Sequence, residues 1–161
     1  MKHECTHGSR RKGHEACFAE FRLQKELESL HHLSATKLLM VSADEGWCVQ
    51  LEYTMMVFEG VYEGRVVRFM LKLPCEYPFK SPKVMCLDRV FHPNIDENGN
   101  VCMEILRLGW KPIYGLECIL ANLHVIFVDI SAEDALNTYA GHLLDSDYDK
   151  FIRIAKGFED P

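Results

Sequence analysis

From Arg65 to Leu73 the chain alternates, with Val67, Phe69, Leu71 and Leu73 on one side of the period and Arg68 and Lys72 on the other. A two-residue period sends successive side chains to opposite faces, so this run fits a strand with one buried and one wet face. Pro74, Pro78 and Pro82 follow at four-residue intervals, and a residue without a backbone N–H is excluded from the interior of a ladder. The strand therefore ends near Leu73. Pairing resumes only after Lys83, where Val84 to Leu87 has the composition of a further short strand. Upstream, Lys37 to Ala43 is an apolar run closed by a turn at Asp44-Glu45-Gly46, and Val49 to Phe58 is rich in β-branched and aromatic residues. Four strands joined by short connections imply an antiparallel meander.

On either side the period changes from two to that of a helix. From Glu15, residues Phe18, Leu23, Leu27 and Leu30 fall close to one helical face, giving helix one. Ile119, Leu120, Leu123, Ile126 and Phe127 predict a buried helix from about Leu116 to Val128. Ser131, with Asp134 three residues on, predicts a capped helix from about Glu133 to Leu144, and Tyr148 to Lys156 a last one ended by Gly157. The fold class is α+β: an N-terminal helix, a four-stranded antiparallel meander, an irregular loop, then C-terminal helices. A chain of 161 residues without repeats or an evident linker is one domain, over 15–161, behind a basic tail over 1–14.

A net charge of -6 argues against nucleic acid as the main partner. No apolar run approaches the roughly 18 residues of a membrane span, and the N-terminus lacks a signal-peptide core, which points to an intracellular protein and no membrane partner. Seven cysteines without a regular framework suit free thiols in a reducing compartment. In and just after the tail, His3, Cys5, His7, His14 and Cys17 have ligand chemistry but no tetrahedral-site spacing, so no metal is expected.

The chemistry gathers in Val90 to Pro112. Pro93, Asn94, Asp96, Asn98, Gly99 and Asn100 are turn formers, and irregular backbone holds side chains open to solvent. A thiol reacts as its thiolate and must be reachable, which Cys102 satisfies best of the cysteines. Local chemistry equally allows a half-buried structural cysteine on a short strand over Asn100 to Met103.

The order of the whole stretch is more specific. His92-Pro93-Asn94, a cysteine eight residues after the asparagine, and Trp110-x-Pro112 beyond it resemble the active-site segment of ubiquitin-conjugating enzymes. Tyr77-Pro78-Phe79-Lys80-Ser81-Pro82 resembles that family's Y-P-x-x-x-P segment, and Arg22 to Leu27 its first helix. The resemblance implies a cofactor-free transferase. Such an enzyme takes a ubiquitin-like modifier from a thioester on an activating enzyme and passes it, with a ligase, to a substrate lysine. Cys102 would carry the thioester. Asn94 would donate to the tetrahedral oxyanion or brace the loop by bonding backbone, and both roles stay open. His92 reads as structural rather than as a base. Asp134 matches the acidic position beside the lysine path, or else sits in the first turn of the predicted helix, favoured by its dipole. Helix one, with Arg22 and Lys25, corresponds to the face that meets the activating enzyme; Phe79 and the loop at Pro112 correspond to ligase contacts.

The chain departs from the family at Glu104, usually Asp or Asn, and at Ile130-Ser131-Ala132, usually P-N-P. Ile105-Leu106-Arg107 leading to Trp110-Lys111-Pro112 looks closer to the neddylation branch, and the chain lacks the extra residues of the SUMO branch, so a Nedd-type modifier is expected, with ubiquitin as the alternative. The resemblance implies work in cytoplasm and nucleus. A binding-only variant would lack the cysteine, and a thiol hydrolase would need a histidine base beside it.

Overall fold

The computed structural model describes residues 18–30, 37–44 and 47–161. The tail over 1–14, with His3, Cys5, His7 and His14, lies outside the described residues, as do Cys17 and Glu45-Gly46. In chain order the elements are α1 (Phe18–Ser29), β1 (Lys37–Asp44), β2 (Trp47–Met56), β3 (Val66–Pro74), β4 (Lys83–Cys86), α2 (Leu116–Val128), α3 (Thr138–Ser146) and α4 (Tyr148–Ala155). A 3₁₀ turn over Glu104–Leu106 separates β4 from α2.

The four strands form one antiparallel sheet in the order β1-β2-β3-β4. Its inner face holds Leu51, Tyr53 and Met55 from β2, Val67, Phe69, Leu71 and Leu73 from β3, and Val84 from β4, all buried. Onto this face α2 lays Leu116, Ile119, Leu120, Leu123 and Phe127, the helical spacing that the sequence displays; Phe69 and Phe127 meet edge to face with centroids 6.0 Å apart. Burying a side chain of this size is worth about 1.5–3 kcal/mol, so α2 is fixed mainly by its apolar stripe. Leu23 of α1 and Phe151 and Ile154 of α4 close the core. No described helix is long and apolar enough to cross a membrane.

Three expectations need correction. β2 ends at Met56 rather than Phe58, because Val57 enters the turn to β3, accepting from the Gly64 N–H at 2.8 Å. The helix expected from Glu133 begins only at Thr138. The Ser131 hydroxyl accepts from the Glu133 N–H at 3.1 Å and forms a local turn instead of a helix cap; Asp134 then takes φ 53°, which no right-handed helix permits. The cap is Asn137, whose side chain accepts from the Ala140 N–H. Finally, Cys86, Cys102 and Cys118 are free, but Cys75 is disulfide-bonded, so the expectation of free thiols does not hold for it.

α2 starts without a local cap. Its N-cap is Gly115, and the Leu116 N–H donates instead to Oε2 of Glu26 on α1, 2.9 Å away. The same oxygen accepts from the Tyr77 hydroxyl at 2.7 Å, and Oε1 accepts from Arg22 Nε. A Cβ at position 115 would lie 3.1 Å from the Glu26 carboxylate, so glycine leaves the room that this remote cap occupies. One carboxylate thus ties α1, the loop after β3 and α2 together.

Candidate active site

After β4 the chain folds into a small hairpin that the eight-residue spacing of Asn94 and Cys102 conceals. Asp96 organises its turn: Oδ1 accepts the backbone N–H groups of Asn98 and Asn100 at 2.9 and 2.8 Å, and Oδ2 accepts the Asn100 side-chain amide at 2.8 Å. Burial works against ionisation of Asp96, but the bonds from Asn100 and Asn98 outweigh it and hold its pKa below the usual carboxylate range. At φ +77° Gly99 closes the turn onto β4, its carbonyl accepting from the Cys86 N–H at 2.7 Å; a Cβ there would lie 2.3 Å from the Cys86 carbonyl oxygen. Ile95 pairs with Val101, and one step further the Cys102 N–H donates to the Asn94 carbonyl at 2.8 Å. Asn94 and Cys102 are therefore opposite each other. Cys102 directly follows the bridge residues Asn100 and Val101 and is partly exposed.

His92 fixes the other side of Asn94. The imidazole is fully buried between Tyr62 and Phe127. Its Nδ1 accepts from the Asn94 N–H at 2.9 Å, and its Nε2 donates to the Ile126 carbonyl at 2.9 Å, near the end of α2 where helix carbonyls lack a partner. Those two partners assign the neutral Nε2–H tautomer. Burial pushes its pKa down to about 4, against which the Ile126 bond works only in part. Both ring nitrogens are occupied, so this histidine cannot serve Cys102 as a base, and the thiol-hydrolase reading loses its candidate.

The Asn94 backbone braces the loop through both its N–H and its carbonyl, while its side-chain amide has no partner among the described residues. The loop is braced here by the Asn94 backbone, and its side-chain amide is left available as a donor. Asp134 is exposed on the 131–137 loop. The Asn137 N–H donates to the Pro93 carbonyl at 2.8 Å, and this bond ties Asp134's loop to the His92-Pro93-Asn94 segment. No hydrogen bond links Asp134 to Cys102. Arg107, named in the sequence only as part of Ile105-Leu106-Arg107, places its Nη1 3.6 Å from Cys102 Sγ.

The remaining predicted residues form a second patch. The Trp110 indole donates to the Pro78 carbonyl at 2.8 Å, and Tyr77 reaches Glu26 on α1, so the loops at 77–80 and 110–114 lie beside α1. Arg22 and Lys25 lie on α1, Lys25 over the Phe21 ring. Phe79 is 69% exposed, Ile113 79%, and Pro112 is exposed. The structure brings these into one face, separate from the Cys102–Asn94 contact.

A partly exposed thiol opposite Asn94, on a loop pinned to an antiparallel meander, has the chemistry and access that carrying an acyl group on sulfur requires. The sequence pattern of the ubiquitin-conjugating enzyme family matches residues 22–159, and the chain belongs to that family; it is a ubiquitin-like modifier conjugating transferase that works with a modifier, an activating enzyme and a ligase. It is similar to the NEDD8-conjugating enzyme UBC12 of Yarrowia lipolytica, 38% identical over 138 residues spanning 86% of this chain and 76% of that one. To the Nedd8-conjugating enzyme UbcE2M of Drosophila melanogaster it is 34% identical over 152 residues, 92% and 80% of the two chains. Its fold matches the structure of S. cerevisiae Ubc12 with a TM-score of 0.79 at 34% identity, over 86% of this chain and 75% of that one.

Proposed function

We propose that this enzyme accepts a NEDD8-type modifier as a thioester on Cys102 and transfers it to the amine of a substrate lysine. Cys102 supplies the sulfur, the Asn94 amide donates to the oxyanion, and Asp134 orients the incoming lysine at the mouth of the site. The observation that carries the proposal is the bond from the Cys102 N–H to the Asn94 carbonyl, which pairs the backbones of these two residues, with the thiol partly exposed and the Asn94 amide unpartnered among the described residues. The names of the relatives support the choice of modifier. The activating enzyme meets α1 at Arg22 and Lys25, and the ligase meets Phe79 and Pro112. Because Glu26 and Tyr77 join these surfaces, the two partners compete. A large apolar ring beside a proline turn suits the groove of a partner.

The test is charging with purified activating enzymes for NEDD8 and for ubiquitin, read on gels with and without reductant, for wild type and Cys102→Ala. A reducible adduct with NEDD8 alone, absent in the variant, is expected. An adduct with ubiquitin alone reassigns the modifier. No adduct, with both activating enzymes demonstrably loaded, defeats the transferase assignment of Cys102.

A further inference from the structure

Arg107 lies in the turn that brings the chain back over Cys102. The Leu106 N–H donates to the Met103 carbonyl at 3.1 Å, and the Arg107 and Gly109 N–H groups both donate to the Glu104 carbonyl, at 3.0 and 3.2 Å. This tight turn carries a residue five positions on back to the cysteine, and the guanidinium Nη1 comes within 3.6 Å of Sγ. The side chain is exposed, so it is not there for packing. Among the described residues it pairs with no carboxylate, and the sulfur is its guanidinium's one hydrogen-bond partner.

We propose that Arg107 is a catalytic residue that supplies a second, charged donor to the oxyanion formed each time an acyl group enters or leaves Cys102. The proposal rests on the thioester reading above. On loading, the Cys102 sulfur attacks the thioester carbonyl carbon, and the C=O π pair moves onto oxygen. Collapse re-forms the carbonyl and expels the donor enzyme's sulfur, which takes up, through solvent, the proton lost from Cys102. On discharge a lysine amine attacks the same carbon, an oxyanion forms again, and collapse makes the amide and returns the sulfur to Cys102 with a proton from the amine. In both steps the oxyanion is bonded to the carbon that is bonded to Sγ, so a side-chain rotation carries a donor already on the sulfur to that oxygen. On discharge the ground state is a neutral thioester, which gives a guanidinium little to bind, whereas the full negative charge of the oxyanion gives a charge-assisted bond. The interaction is stronger in the transition state than in the ground state, as catalysis requires. Asn94 contributes the neutral donor from the opposite strand of the hairpin.

The experiment compares wild type, Arg107→Ala and Arg107→Lys. Each is loaded chemically on Cys102 from a C-terminal alkyl thioester of NEDD8, so that docking of the activating enzyme plays no part. Discharge to free lysine is followed in single turnover, and iodoacetamide alkylation of Cys102 is followed separately by peptide mass spectrometry. Alkylation displaces iodide and forms no oxyanion, so it reports on the sulfur alone. Arg107→Ala is expected to slow discharge about 10-fold, less than the loss of a buried oxyanion donor because this one is solvated. Alkylation should stay within about twofold, and Arg107→Lys should regain part of the rate. Discharge within about twofold of wild type overturns the proposal, as does alkylation that falls in parallel with discharge, which would place the effect on the sulfur. A wild type that takes no acyl group on Cys102 defeats the thioester reading instead.

Discussion

Acidification should loosen the active-site loop through one buried imidazole. His92 is neutral in the folded state with its pKa pushed down to about 4 by burial, against 6.5 for an ordinary histidine. Protonation would put a second N–H at Nδ1, facing the Asn94 N–H that it now accepts. The sign follows from proton counts: between these two values the unfolded chain binds the proton and the folded one does not. The stability contribution is complete above pH 6.5 and is lost as pH falls toward 4. The gap from 6.5 to about 4, at about 1.4 kcal/mol per pH unit, is about 3 kcal/mol, of which about 2 kcal/mol is gone by pH 5. Urea unfolding of wild type and His92→Gln at pH 7 and pH 5 isolates this group. Glutamine keeps one donor and one acceptor but does not titrate, and His124, whose pKa burial also lowers, is common to both proteins and cancels. Wild type should lose about 2 kcal/mol more than the variant over this interval. Equal losses in the two proteins, or an NMR resonance of His92 that titrates near 6.5 in the folded state, would falsify the reasoning.

Asn94→Ala separates the two roles that sequence left open. Since the side-chain amide has no partner among the described residues, unfolding free energy should stay within about 0.5 kcal/mol, while thioester discharge falls about 10²–10³-fold; a large drop in stability with normal discharge would restore the bracing role. Glu26→Ala removes the acceptor of both the Tyr77 hydroxyl and the Leu116 N–H, and should cost about 2–4 kcal/mol by urea denaturation; a loss below about 1 kcal/mol would mean that water replaces both bonds.

Much of the fold was legible because its periods are local. The alternation of Val67, Phe69, Leu71 and Leu73 and the prolines after it place the strands, and the stripe from Ile119 to Phe127 places α2. The sequence suggests too early a start for the third helix because Ser131 and Asp134 have the composition of a cap. A serine that bonds two residues on makes a turn just as readily, and only the backbone at Asp134, with φ 53°, shows which occurred.

At the site, residue types and their order by themselves determined the family pattern and singled out Cys102 and Asn94 as candidates. Their adjacency was decided in three dimensions, by Asp96 folding the intervening residues into a hairpin and by Gly99 seating that hairpin on β4. Tertiary structure also decided which groups are occupied. His92 is spent on the Asn94 N–H and the Ile126 carbonyl, thirty-four residues away in sequence, whereas the Asn94 amide is left unpartnered. Nothing in the sequence places Arg107 against Cys102, and its contact with Sγ exists only because a 3₁₀ turn reverses the chain. Hydrophobic period is a property of neighbours along the chain and can be read there. Hydrogen-bond occupancy depends on which distant groups packing brings within about 3 Å, and no spacing in the sequence encodes that.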